Sequence, residues 1–315
     1  MERLGLEVTH REEIASDIVL LELRRPDRGD LPPFTCGAHL SIVTPAGHTR
    51  KYSLSNDPAE RDRYVIAVKR ETAGRGGSLS MADEAKVGDV LEAGPPQNDF
   101  PLVHNQAGYI FIAGGIGITP ILSMIRHLTS EGGPRYKLYY LTRSPETTAF
   151  HAELSAPSYR GKVVMHHDEG DPAKAFDLWP VFERPSGQHV YCCGPRPLMD
   201  AVRDMTGHWS SKAVHFEAFT DAAVKHADDT AFTARLARSG QTVEVPADVT
   251  LLEALRAAGC DLPSSCESGT CGTCKTGLIE GEADHRDLAL TEAERTRFIM
   301  PCVSRARSAE LVLDL

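Results

Sequence analysis

The sequence predicts a three-domain chain: a small β-barrel, a doubly wound α/β sheet and a compact cysteine-bearing domain. Three observations predict it. Up to about Leu102, short strand-like runs alternate with turn clusters. From about Val103 to Ala222, strands alternate with helices around a glycine loop. Beyond a polar stretch from Asp221 to Asp229, Cys266-Glu-Ser-Gly-Thr-Cys271-Gly-Thr-Cys274 reads C-x4-C-x2-C, with Cys302 far downstream.

Length and composition agree with this division. The 315 residues suit two or three domains, and 41% hydrophobic with 25% charged residues is ordinary for a globular protein. A formal net charge of −10 argues against a general nucleic-acid binder and against docking on an anionic membrane. The N-terminus MERLGLEVTHREE has no apolar h-region and no apolar run approaches a membrane span, and the cysteine usage makes a reducing cytoplasm the expected setting. Eight cysteines in a chain this long do not form a disulfide framework. Cys36, Cys192, Cys193 and Cys260 read by default as small buried hydrophobes.

In the first block, Ile18–Leu23, His39–Thr44 and Tyr64–Lys69 are strand-like, and turn clusters fall at Asp30–Pro33, Thr44–Gly47 and Gly94–Pro96. Many short strands of this kind suggest a small barrel. After the second of these strands comes Arg50-Lys51-Tyr52-Ser53-Leu54-Ser55. Arginine can pair with a phosphate. A tyrosine two residues on points the same way along a strand and can cover an aromatic ring, and the serine offers a hydroxyl. Flavin mononucleotide needs such groups, although the same pattern also occurs as plain barrel structure. Gly74-Arg75-Gly76-Gly77-Ser78-Leu79-Ser80 precedes a helix expected over Ser78–Glu84. It reads as a phosphate cradle at a helix start, or as an ordinary glycine turn with a serine N-cap.

In the second block Tyr109–Ala113 is a short apolar run, the mark of a strand covered on both faces. It feeds Gly114-Gly115-Ile116-Gly117-Ile118-Thr119-Pro120 and a helix expected over Pro120–Leu128. Further strands are expected at Tyr136–Leu141, Lys162–His166, His189–Cys193 and Val214–Phe216, a βαβ rhythm that argues for an open doubly wound sheet. The glycines permit close approach of a pyrophosphate, and Pro120 suits a first helical turn. The loop is G-x-G-x-x-P rather than the G-x-G-x-x-G/A fingerprint, so it is a dinucleotide site of another type or a tight βα turn. Arg143 leaves NADPH open, since arginine can meet a 2′-phosphate. Cys193-Gly194-Pro195 ends another strand at the ligand-binding edge of the sheet, where it is either nicotinamide-facing or a buried strand end followed by a turn. Phe219 reads first as core. His166-His167-Asp168 resembles a metal cluster, but neighbouring strand residues point to opposite faces.

The third block has strand signals at Thr242–Val245 and Ala309–Leu313 and a helix expected over Leu251–Ala258, stopped by Gly259. The cysteine spacing is that of a plant-type [2Fe–2S] ligand set, with Cys266, Cys271, Cys274 and Cys302 as the thiolates. Small residues in the loop let backbone N–H groups turn toward sulfur. Structural zinc usually uses paired C-x2-C knuckles, and only one such pair is present. Glu280, Glu282, Asp284 and Asp287 read as a solvated face, or as a surface steering a basic redox partner.

The order of these motifs carries more than any one of them. Arg-x-Tyr-Ser, Gly-Gly-x-Gly-x-Thr-Pro, Cys-Gly-Pro and C-x4-C-x2-C…C together resemble the ferredoxin–NADP reductase-like reductases of Rieske oxygenases, and the resemblance runs the length of the chain. It implies an antiparallel β-barrel flavin domain over 1–102, an α/β doubly wound NAD-binding domain over 103–226 and an α+β β-grasp ferredoxin domain over 227–315. It places Arg50, Lys51 and the Ala67-Val68-Lys69 stretch at FMN, with Tyr52 and Ser53 along the ring. It places Gly76, Gly77, Ser78 and Leu79 near the phosphate, Thr119 beside the flavin and Phe219 on its nicotinamide side. NADH, which the family implies over NADPH, would dock on Gly114, Gly115, Gly117 and Pro120 and on Cys193, Gly194 and Pro195. The implied reaction runs from NADH through FMN and the [2Fe–2S] cluster to a terminal Rieske oxygenase, with no residue needed as a general base. Alternative acceptors are a demethylating monooxygenase or a cytochrome P450. A non-enzymatic redox sensor would need neither nucleotide nor flavin motifs.

Overall fold

The computed structural model describes residues 3–72, 76–219 and 228–315. Gly74 and Arg75 of the first glycine loop, and most of the polar stretch after Asp221, lie outside the described residues. The chain divides after His215 into two compact units.

The first unit opens with β1 (Leu4–Ala15), β2 (Ile18–Arg24), β3 (His39–Val43), β4 (Thr49–Ser53), β5 (Tyr64–Lys69), helix α1 (Gly77–Asp83) and β6 (Val90–Ala93). The strands pair in the order β4-β3-β6-β1-β2-β5, and a bridge between Leu54 and Ile66 joins the two outer strands. Closure of an antiparallel sheet removes its edges, which makes this a barrel. Alternating inward residues such as Leu6, Val8, Leu21, Leu23, Leu40 and Ile66 fill it.

The same unit continues with β7 (Tyr109–Gly114), α2 (Ile118–Ser130), β8 (Tyr136–Thr142), α3 (His151–Leu154), β9 (Val163–His167), α4 (Trp179–Phe182), β10 (His189–Cys193), α5 (Arg196–Met205) and β11 (Val214–Glu217). The sheet order is β11-β10-β7-β8-β9, with β10, β7, β8 and β9 parallel. Every residue of β7 is buried, as a strand covered on both faces requires. Phe111, Tyr191, Leu122 and Ile125 sit in the core between sheet and helices.

The second unit contains β12 (Phe232–Leu236), β13 (Thr242–Val245), α6 (Leu251–Ala257), β14 (Thr276–Glu280), β15 (Ala283–Asp284), α7 (Glu292–Arg295), β16 (Phe298–Ile299), β17 (Arg305–Ala306) and β18 (Glu310–Leu313). Its five-stranded sheet runs β13-β12-β18-β14-β16, and β12 and β18 are parallel while the other pairs are antiparallel. Helix α6 starts at a capping box, where Thr250 and Glu253 bond each other's backbone N–H groups. Its apolar face, Leu251, Ala254 and Leu255, packs on the sheet. A mixed sheet grasping one helix is the expected α+β domain. No helix among the described residues is long and apolar enough to cross a membrane.

Candidate functional site

The four cysteines of the C-x4-C-x2-C…C pattern fall into two pairs. Sγ of Cys266 accepts the N–H groups of Ser268 and Cys271, each at 3.4 Å, and Sγ of Cys274 lies 3.2 Å from that of Cys302. The hydrogen bond from the Cys271 side chain, then those from Ser268, hold the Cys266 thiol well below its usual value. Cys271 and Cys302 are pushed up, first by their hydrogen bonds to Cys266 and Cys274. Among the described residues, no three metal-binding side chains converge as on a single ion. A two-iron cluster instead needs two thiolates per iron, and two pairs with backbone N–H groups aimed at sulfur fit that group.

The loop that holds these cysteines has positive φ at Glu267, Gly269 and Gly272. Gly269 has φ +76°, and a Cβ there would come within 2.7 Å of Val303 Cγ2 and 3.1 Å of Asp287 Cα. Only glycine fits a left-handed position pressed this closely. Glu267 has φ +52° without being glycine. Its carboxylate accepts Arg256 Nη1 at 2.8 Å and Ser264 Oγ at 2.6 Å, which holds the unusual backbone in place. Neither clamp is visible in the sequence, because Arg256 reaches the loop only from the folded α6.

The acidic stretch is not a uniform solvated face. Asp287 is 0% exposed and accepts the Leu290 N–H at 2.8 Å, and Leu288 N–H donates to Gly269 O at 2.9 Å. Asp287 is therefore part of the floor beneath the cysteine loop. Asp284 is bound by Arg286 at 2.6 Å. Composition alone cannot distinguish a carboxylate drawn inward to satisfy backbone from one left in water.

On the barrel, β4 carries Arg50, Lys51, Tyr52 and Ser53 up to the start of α1. The Arg50 side chain lies on Gly77, where an added Cβ would be 2.6 Å from Arg50 Nε. Gly76 has φ +81° and open space beside it. The Tyr52 hydroxyl is buried without a hydrogen-bond partner among the described residues. Burial pushes it up to about 12, so it remains a proton donor. An arginine over an open backbone turn and an orphaned buried hydroxyl fit a phosphate-bearing aromatic cofactor such as FMN. Ser78 Oγ accepts the Glu71 N–H at 3.2 Å, and Leu79 is half-buried beside it. Ala67 and Val68 point into cores on opposite faces of β5, and Lys69 is exposed and 3.3 Å from Glu71. Lys51 stands 3.9 Å from Asp99.

The glycine loop after β7 meets the loop after β10. A Cβ on Gly114 would strike Pro195 Cδ at 2.6 Å, one on Gly117 would strike Cys193 O at 2.1 Å, and one on Gly194 would strike Gly114 Cα at 2.9 Å. These glycines let two loops pack backbone against backbone, a demand that the sequence pattern does not separate from close approach of a pyrophosphate. Gly115 is different: φ is +53° and nothing lies within 4 Å of its Cβ position. Cys193 is buried at the end of β10, and Pro120 is buried in the first turn of α2. Thr119 is 2% exposed and donates to Ile116 O at 3.1 Å.

Three other readings are now placed. Phe219 lies past the end of β11 and is 41% exposed, so it is not core. His166 Nε2 bonds Lys174 O at 2.7 Å while His167 Nδ1 bonds Thr142 Oγ1 at 2.8 Å, so the two rings face different partners and form no metal site. Arg143 is exposed at the end of β8, and its backbone carbonyl accepts the Glu169 N–H at 2.9 Å.

A family model described as "2Fe-2S iron-sulfur cluster binding domain" matches residues 234–307, and one described as "Oxidoreductase NAD-binding domain" matches residues 111–204. The chain is 56% identical over 313 residues to a phthalate dioxygenase reductase of Burkholderia cepacia, covering 99% of this chain and 97% of that one. It is also 56% identical over 312 residues to a phthalate 4,5-dioxygenase oxygenase reductase subunit of Pseudomonas putida, covering 99% and 96%. A solved structure described as "Phthalate dioxygenase reductase: a modular structure for electron transfer from pyridine nucleotides to [2Fe-2S]" superposes with a TM-score of 0.72 at 55% identity, covering 99% of this chain and 98% of that one. Barrel, nucleotide sheet and paired thiols thus recur in one order in proteins alike from end to end, and the chain belongs to the phthalate dioxygenase reductase family of NADH-, FMN- and [2Fe–2S]-dependent oxidoreductases.

Proposed function

We propose that the chain is the reductase component of a Rieske-type aromatic-ring oxygenase, acting in the cytoplasm with NADH as its electron source. The observation that supports this most is the pair of thiol pairs, Cys266 with Cys271 and Cys274 with Cys302, in the same polypeptide as a nucleotide-type α/β sheet. FMN, when bound, supplies the conversion of a two-electron donor to a one-electron path. The chain's own residues bind and orient. Arg50 and the turn at Gly76, Gly77, Ser78 and Leu79 hold the FMN phosphate, and Lys51, Tyr52, Ser53, the Ala67–Lys69 stretch and Thr119 surround the ring, with Phe219 on its nicotinamide side. Gly114, Gly115, Gly117 and Pro120, with Cys193, Gly194 and Pro195, receive NADH. The three modules are 1–102, 103–226 and 227–315.

Delivery to a Rieske centre is downhill, because plant-type clusters sit near roughly −400 mV and Rieske centres at about −150 to +300 mV. The test is an anaerobic titration of the purified protein with NADH and, separately, NADPH, followed by visible absorbance and EPR, and then turnover with a phthalate-type Rieske oxygenase. Bleached flavin bands with a reduced [2Fe–2S] signal and coupled turnover are expected. A cluster signal that appears with dithionite and never with NADH would overturn the electron path. Full cluster reduction without oxygenase turnover would move the acceptor to another class.

A further inference from the structure

Helix α2 meets the barrel along a single polar line. Thr119, Ser123 and Arg126 stand at helical spacings of four and three, so they share one face. Ser123 is 0% exposed, and its hydroxyl donates to Asn56 O at 2.8 Å. Arg126 Nη1 donates to Ser55 O at 2.9 Å. Ser55 and Asn56 lie just beyond β4, after Leu54, on the segment that continues the strand of Arg50, Tyr52 and Ser53. Neither residue is loose. Ser55 donates its N–H and its hydroxyl to Val65 O, and Asn56 accepts the Val65 N–H and donates to Arg63 O.

The guanidinium of Arg126 is itself fixed from the other side. Its Nε and Nη2 meet both carboxylate oxygens of Glu153 at 3.1 and 2.6 Å, and its plane lies 5.6 Å from the Phe150 ring centroid. Phe150 has φ +58°, an unusual backbone for an aromatic residue, and it sits immediately before α3, which bears Glu153. A bidentate pair has one geometry, so Arg126 has little freedom to follow a moving helix.

We propose that Ser123 and Arg126 are positioning residues for hydride transfer. They lock the axial position and rotation of α2 against the Ser55 and Asn56 carbonyls just beyond β4, and so fix its first turn, with Thr119 and the glycine loop, relative to the flavin strand. This rests on the reading of Thr119 and β4 as flanking the flavin. The physical need is plain: a misplacement of about 1 Å between reacting atoms can slow a reaction by roughly a hundredfold. Two buried carbonyls answered by two side chains from one helix face define both degrees of freedom that would produce such a slip. Neither residue touches the reacting atoms.

The test is anaerobic stopped-flow reduction of the flavin by NADH in the full-length holoprotein, with Arg126→Gln, Ser123→Ala and Thr119→Val. Arg126→Gln is expected to slow hydride transfer about ten- to a hundredfold, to raise the isotope effect with deuterated NADH, and to keep flavin content and the NADH saturation constant within about twofold. Ser123→Ala, which removes only one hydroxyl, is expected to slow transfer several-fold and carries the test if Arg126→Gln does not fold. Wild-type rates in Ser123→Ala and Arg126→Gln alongside slowed transfer in Thr119→Val overturn the proposal alone. An unchanged rate in Thr119→Val overturns the placement of Thr119 and the proposal with it. Slowed reduction that comes only with lost flavin or weakened NADH saturation also overturns it, because that pattern reports general damage.

Discussion

Replacing Gly117 with alanine separates two roles that a glycine loop can have. Gly117 has φ −61°, a backbone that alanine adopts freely, so only space opposes the change. An ideal Cβ would lie 2.1 Å from Cys193 O, 2.5 Å from Cys193 C and 2.9 Å from Gly194 N. An ordinary carbon contact is about 3.5 Å, so the two loops would have to part by more than about 1 Å. All three obstacles are backbone atoms and cannot swing aside as a side chain would. Overpacking of this kind costs about 1–3 kcal/mol, and backbone obstruction places it near the top, about 3 kcal/mol. A domain of this size loses roughly 2–4 °C of melting temperature per kcal/mol, so a fall of roughly 6–12 °C is expected in thermal unfolding. The NADH saturation constant should rise together with it if, as proposed above, the same loops receive the nucleotide. Gly115→Ala is the control: its φ of +53° strains alanine by about 1 kcal/mol, but its surroundings are open. It should melt only roughly 2–4 °C lower while weakening NADH at least as much. A Gly117→Ala protein that melts within about 2 °C of the parent would refute the packing argument.

Other perturbations test the remaining parts. Cys271→Ser should abolish the reduced [2Fe–2S] EPR signal and electron delivery while NADH still bleaches the flavin; retained delivery would contradict its place in the first thiol pair. Arg50→Ala should lower the FMN retained through gel filtration by about tenfold or more, as loss of a charged phosphate partner of roughly 1.5–3 kcal/mol implies; unchanged flavin content would remove Arg50 from the phosphate. Acid should destabilise the first unit through His215, whose ring stacks on Tyr191 at 4.4 Å and lies 3.0 Å from His189. Burial, with the neighbouring His189, pushes His215 down to about 4 from an unfolded value near 6.5. The unfolded chain therefore binds the proton first, and stability is full above about pH 6.5 and falls as pH drops toward about 4. Melting temperature measured from pH 7 to pH 5 should decline, and His215→Phe should flatten that decline.

Much of the architecture was legible because it is written in local terms. The apolar runs at Tyr64–Lys69 and Tyr109–Gly114 and the amphipathic α2 are each patterns of adjacent residues, and the folded elements follow them within a few residues. β1 was not legible: its polar outer half, Glu12 and Glu13 among it, is exposed, and pairing with β2 and β6 makes the strand. Residue type alone reads Phe219 as core, yet it lies past the end of β11 and is 41% exposed. Asp287 was assigned to solvent on charge alone, yet its carboxylate satisfies a buried backbone N–H.

The sequence by itself determined the chemistry: four thiolates at fixed spacing, an Arg-x-Tyr-Ser strand, two glycine-bearing loops and the order in which they occur. Ligand spacing and backbone permissiveness are properties of a few adjacent residues, so they need no fold to be read. Tertiary structure alone decided how those pieces face one another. Cys266 is matched with Cys271 and Cys274 with Cys302, Arg50 lies on Gly77, Gly117 abuts Cys193, and Arg126 reaches Ser55. These contacts join residues that are in most cases tens of positions apart, and their geometry is set by packing rather than by any local pattern.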